Sequence, residues 1–168
     1  NPTYTFCGTP EYLAPEILKG NGHAKAVDWW SLGILLYEMI VGLPPFYSEN
    51  IKEMYELILA APLKFPNSVP MDAQNLLRGL LERDEKKRLG GGARDGAEIR
   101  EHPFFNNIDW EKMMAQEVPP PFVPSIKDLH SSTKYFDEEF VSERPVDTIC
   151  EPIIDPNAKN DFSDFDFA

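Results

Sequence analysis

Histidine and cysteine are scarce, at three His and two Cys in 168 residues. Cys7 and Cys150 stand far apart with no C-x-x-C, and His23, His102 and His130 are scattered. Neither a disulfide scaffold nor a zinc site is indicated, and a reducing compartment fits best. Positive charge is short as well: 16 basic side chains face 28 acidic ones, for a net charge of −12. A surface of that sign repels phosphate backbones and anionic lipid, so nucleic acid is not an expected partner. Long apolar runs are missing too. The longest, 27–41, is interrupted by Asp28, Ser31, Gly33 and Glu38 and falls short of the ~18–20 residues a membrane span needs, so no direct membrane insertion is expected. Residues 1–14 have neither the basic start nor the apolar stretch of a signal peptide, and the first residue is Asn rather than Met. The expectation is a trimmed leader or a piece of a longer, cytoplasmic protein.

What is present is enough for a core. Apolar residues make up 42% of the chain and aromatics 12%, too rich a mixture for complete disorder. The length suggests one domain, or one domain and a tail. Charge and proline support the second option. Residues 1–110 carry 15 acidic and 11 basic side chains, whereas 111–168 carry 13 and 5. The latter part opens on Pro119-Pro120-Pro121-Phe122-Val123-Pro124, has Pro145, Pro152 and Pro156 further on, and sustains no period of 3.6 or 2. It reads as an extended tail.

The earlier part reads as mainly α. Residues 27–41 are apolar nearly all round, as in a helix enclosed by other elements, and Gly42 with Pro44-Pro45 stops them. A second helix is predicted over 50–60, where Ile51, Met54, Tyr55 and Ile58 recur at i, i+3, i+4 and i+7 before Pro62. A third, about 72–82, aligns Leu76, Leu77, Leu80 and Leu81. Arg88-Leu89-Gly90-Gly91-Gly92 reads as a flexible loop, followed by a short helix near 97–100 and the cluster His102-Pro103-Phe104-Phe105. No strand of useful length and no internal repeat is visible.

The most informative stretch is Thr5-Phe6-Cys7-Gly8-Thr9-Pro10-Glu11-Tyr12-Leu13-Ala14-Pro15-Glu16. It holds the A-P-E that closes a protein-kinase activation segment, with G-T-P-E-Y before it and V-D-W-W-S-L-G after it. Pro44-Pro45-Phe46, Arg88-Leu89 and His102-Pro103-Phe104-Phe105 follow in order. The chain resembles the C-terminal half of a serine/threonine kinase of the AGC group. Pro121-Phe122-Val123-Pro124, Tyr135-Phe136-Asp137-Glu138-Glu139-Phe140 and Phe162-Ser163-Asp164-Phe165-Asp166-Phe167 resemble that group's C-terminal tail. Asp166, where many members carry a phosphorylatable residue, is similar to the protein kinase N and protein kinase C type. The resemblance implies the helical C-lobe of a kinase fold over 1–105 and the AGC C-terminal domain over 106–168, an extended, acidic, Pro-rich tail.

The sequence has no V-A-I-K, H-R-D or D-F-G, and Gly90-Gly91-Gly92 lacks the spacing of a phosphate loop. No catalytic residue and no metal ligand is therefore expected here, and ATP and Mg²⁺ would be used only together with an N-terminal half. The resemblance implies phosphorylation sites at Thr5 and Thr148, although Ile149 replaces the usual proline after Thr148. It implies a substrate-binding loop at Thr9, Pro10 and Glu11, and Glu38 as a reader of a basic residue before the acceptor. Phe136 would contact the nucleotide. Glu16 and Arg88 would form a buried ion pair, and Asp28 would accept backbone N–H bonds from the catalytic loop. Phe162, Phe165 and Asp166 would dock into the kinase's own N-lobe or an upstream phosphoinositide-dependent kinase. Each has a plainer reading beside it: a solvated threonine, a simple turn, a satisfied polar residue on a core helix, an aromatic packed on the lobe, an unstructured end. Two functions follow, part of an ATP-dependent kinase acting on basic proteins, or a non-catalytic module that docks through its hydrophobic motif.

Overall fold

A computed structural model describes residues 2–125 and 133–147 of the chain. Two units divide it, Asn1–Val118 and Pro119–Ala168. Among the described residues all regular structure is helical; the one β-type pairing is an isolated antiparallel bridge between Thr3 and His23.

The first unit is organised around α2, Ala26–Val41. Trp30, Ile34 and Tyr37 recur at i, i+4 and i+7 and are buried, so one stripe of the helix makes the core. Gly42 ends it in the left-handed region, φ 97°, with its N–H donating to the Glu38 carbonyl at 2.7 Å. Preceding it is α1, Pro15–Lys19, with Pro15 in the first turn and a left-handed Gly20 after the last. α3, Ile51–Ala60, starts on Asn50, whose side chain accepts from the Lys52 and Glu53 N–H groups at 3.0 and 3.3 Å. Asn50 is thus a cap and not the first helical residue. α4 runs Met71–Leu80, and Leu76, Leu77, Leu80 and the following Leu81 are all buried.

α2 and α4 meet closely at Gly33. A Cβ there would lie 2.9 Å from the Leu80 and Leu81 side chains, so only hydrogen fits. Trp30 stacks on Phe46 with centroids 5.9 Å apart, joined by Ala14, Ile34, Met54, Ile58 and Leu81 in one buried cluster. Leu76, Leu80 and Ile99 form a second. The opposite face of α2 differs from the enclosed helix that the sequence suggests: Leu35, Met39 and Ile40 are exposed, because no described element packs over them.

The Gly-rich stretch after α4 is held at each turn rather than left as a free loop. Leu89 donates to the Gly79 carbonyl at 2.9 Å, Gly90 to the Glu98 carboxylate at 3.0 Å and Gly91 to the Arg88 carbonyl at 2.9 Å. A Cβ at Gly91 would come within 2.4 Å of the Glu85 carbonyl oxygen, so the glycine permits the fold of the loop. After it come α5, Gly96–Arg100, a 3-10 turn at Pro103–Phe105 and α6, Trp110–Met114. The second unit contains α7, Glu138–Val141, so its described part is not wholly extended. Lys134 Nζ there donates to Ser125 Oγ at 2.9 Å.

Candidate functional site: an acidic cleft beside a buried ion pair

Residues 2–9 run exposed across the first unit before the chain turns inward. Thr5 is on that exposed run, its hydroxyl 3.5 Å from the Thr3 hydroxyl. Thr9 precedes a 3-10 turn at Pro10–Tyr12, and its carbonyl accepts from the Tyr12 N–H at 3.0 Å. Proline at the first position fixes the turn's φ and lacks an N–H the turn could not satisfy anyway. Glu11 and Tyr12 are thereby presented toward α2, where the Tyr12 hydroxyl donates to Glu38. Bonding to an anion favours the neutral phenol, and together with partial desolvation this holds Tyr12 above the ordinary tyrosine range.

Thr9, Glu11, Tyr12 and Glu38 line a cleft of about 350 Å³ with Leu43, Pro44 and Tyr47. Two carboxylates and no basic side chain face it, over an apolar floor from the segment after α2. Such a cleft attracts cationic groups and offers them acceptors. Pro10 forms the turn behind it without lining it.

At the N-terminal end of α2 the chain buries a charge pair. Arg88 donates through its two terminal nitrogens to Glu16 Oε1 and Oε2 at 2.6 and 2.9 Å, a bidentate arrangement. Its Nε donates to the Glu82 carbonyl at 2.8 Å and Nη1 to the Ala26 carbonyl at 2.8 Å, while the guanidinium lies over the Trp30 ring. Both residues are buried. The pair ties the helix just after the Ala14-Pro15 step to the loop after α4. Arg83, not singled out from the sequence, makes a parallel tie. Its Nε donates to the Ile58 carbonyl at 2.8 Å and Nη2 to the Leu57 carbonyl at 3.3 Å, at the end of α3. Burial pushes the Arg83 guanidinium pKa down.

Asp28 sits exposed in the first turn of α2. In the second unit, the Phe136 N–H donates to the Thr133 carbonyl at 2.9 Å just before α7. Thr148, Phe162, Phe165 and Asp166 lie outside the described residues. The structure therefore brings Thr9, Glu11 and Glu38 to one cleft and Glu16 and Arg88 to one buried contact. Tyr12, Leu43, Pro44 and Tyr47 were missed; the Tyr of G-T-P-E-Y was the available signal.

The model of the family described as "Protein kinase domain" matches residues 1–105. The chain belongs to the protein kinase family. Among curated relatives it is 57% identical over 147 residues to serine/threonine-protein kinase gad8 of Schizosaccharomyces pombe, covering 88% of this chain and 25% of that protein. It is 49% identical over 166 residues to the RAC family serine/threonine-protein kinase homolog of Dictyostelium discoideum, covering 98% and 36%. Serine/threonine-protein kinase YPK1 of Saccharomyces cerevisiae is 48% identical over 160 residues, covering 95% and 23%. These are serine/threonine kinases of the AGC type. The kinase chain spans about a quarter to a third of the length of these relatives.

Among the described residues no three His, Cys, Asp or Glu side chains gather where they could hold a metal, and no lysine lines the acidic cleft. Among them no helix is long and apolar enough to cross a membrane.

Proposed function

We infer that this chain is the substrate-facing part of the C-lobe, 1–105, and the C-terminal domain, 106–168, of a cytoplasmic AGC-group kinase. The intact protein transfers the γ-phosphate of ATP to Ser or Thr of basic proteins, using Mg²⁺ bound elsewhere in the protein. The observation that carries this reading is the cleft in which Glu11 and Glu38 face outward with no basic neighbour. Thr9, Pro10 and Glu11 support the substrate strand, and Glu38 receives the basic side chain ahead of the acceptor. Asp28 steadies the catalytic loop, and Phe136 covers the nucleotide. Phosphate on Thr5 would add about −1.5 to −2 charge and order the exposed segment through arginine contacts; Thr148 is the corresponding site in the tail. Phe162 and Phe165 dock on the N-lobe or on an upstream phosphoinositide-dependent kinase, with Asp166 supplying a permanent negative charge. That aspartate is the whole support for a protein kinase N or protein kinase C subtype. The relatives matched along most of the chain carry gad8, RAC and YPK1 names, so the AGC-group reading is the one carried forward.

The test uses the full-length kinase and two peptides, one with arginine ahead of the acceptor and one with alanine there. A charge-assisted hydrogen bond contributes about 1.5–3 kcal/mol, so Glu38→Gln is expected to lower kcat/KM for the arginine peptide by roughly tenfold to a hundredfold. The alanine peptide is expected to change little. Equal losses on both peptides would remove Glu38 from substrate recognition.

A further inference from the structure

Asp95 has a backbone conformation that L-residues rarely adopt, φ 51° and ψ −134°. It is followed by Gly96, in the only Asp-Gly step of the sequence. Because a tetrahedral Cα sets Cβ a third of a turn from its own amide nitrogen, this ψ brings the Gly96 nitrogen nearly into eclipse with Cβ of Asp95. That is the torsion a flat five-membered ring requires. Glycine at 96 leaves the approach to its nitrogen unhindered.

We propose that Asp95–Gly96 is a modification site, at which the backbone closes to a succinimide and reopens as isoaspartate. The Gly96 nitrogen attacks Cγ of the protonated Asp95 carboxyl; the new C–N bond forms as the C–OH bond breaks, and the amide proton and hydroxyl leave as water. Water then opens the imide at either carbonyl, giving back aspartate or giving isoaspartate, with no net change of mass and no redox step. Isoaspartate adds a methylene to the main chain just before α5.

The same site carries its own brake. Asp95 Oδ1 accepts from the Trp29 indole N–H at 2.9 Å, and Oδ2 lies 3.1 Å from Lys25 Nζ. Lys25 also donates to the Gly92 carbonyl at 2.9 Å, which fixes its position. These partners keep the carboxyl ionised, and an ionised carboxylate is a poor electrophile. Geometry favours ring closure, and Lys25 with Trp29 restrains it.

The test is timed incubation of the full chain in warm, near-neutral buffer, with isoaspartate localised by peptide mapping and by labelling with an isoaspartyl O-methyltransferase. Localisation matters because Asn21–Gly22 is an independent source of isoaspartate. Folded wild type is expected to form isoaspartate at position 95 more slowly than the same chain in denaturant. Folded Lys25→Ala is expected to exceed both by severalfold. Asp95→Glu is expected to form none there, and Gly96→Ala, whose Cβ would meet Trp29 at an ordinary 3.4 Å, is expected to slow the reaction. Should circular dichroism show Lys25→Ala unfolded, Trp29→Phe, which removes the indole N–H and keeps an aromatic ring, is read by the same criterion. A folded Lys25→Ala or Trp29→Phe variant that forms isoaspartate at 95 no faster than wild type, or no faster than the denatured chain, overturns the proposal.

Discussion

Glu16 and Glu38 are both carboxylates held by the elements around α2, and they are used in opposite ways. Glu16 is buried with both oxygens engaged by Arg88, which also donates to two backbone carbonyls. Glu38 takes one hydroxyl, from Tyr12, and otherwise faces a cleft. A buried pair locked to each other and to the backbone leaves little for a ligand, and removing either partner leaves an uncompensated charge. A carboxylate at a cleft edge adds little to stability but keeps acceptors available. The clamp is built for stability, and the cleft is the part proposed for recognition.

The largest expected effect is at the clamp. Arg88→Ala leaves Glu16 buried and unpaired and is expected to cost about 3–5 kcal/mol, measured by urea unfolding followed through helical circular dichroism. A loss no larger than that of an exposed ion pair would erase the contrast. Next is the loop that holds Arg88: Gly91→Ala would force a Cβ to within 2.4 Å of the Glu85 carbonyl and is expected to cost about 1–3 kcal/mol, as overpacking does. Asn50→Ala removes the cap of α3, at the far end from the Arg83 tie, and is expected to cost about 1 kcal/mol. Glu38→Gln is expected to change stability by less than about 0.5 kcal/mol, as substitutions outside a core usually do. Its signature is instead in Tyr12, which loses an anionic acceptor, so its hydroxyl is expected to titrate at lower pH than in the wild type, read by ultraviolet difference absorbance.

Much of the helical core could be read from the sequence because the long helices carry several turns of periodic apolar residues. α2, α3 and α4 fall close to the ranges expected, and the Leu76, Leu77, Leu80 and Leu81 face is buried as the spacing implies. The one-turn helices α1, α6 and α7 were not anticipated, since four or five residues present too few positions for a period to register. Gly90-Gly91-Gly92 suggested looseness because composition reports conformational freedom and not the backbone bonds that use it. The contact between Glu16 and Arg88 spans 72 positions and that between Tyr12 and Glu38 spans 26. Local pattern cannot pair residues so far apart; the first was accessible only through the family resemblance and the second was not foreseen.

A double-mutant cycle on Glu16 and Arg88 tests the division between clamp and cleft most directly. Unfolding free energies of wild type, Glu16→Gln, Arg88→Met and the double variant are compared under the same conditions. If the pair is one buried unit, the double variant is expected to lose about as much as either single variant or less, leaving a coupling energy at or above the roughly 0.5–3 kcal/mol seen for contacting residues. Losses that simply add, with no coupling, would mean that Glu16 and Arg88 act separately and that the clamp is not what holds α1 to the loop after α4.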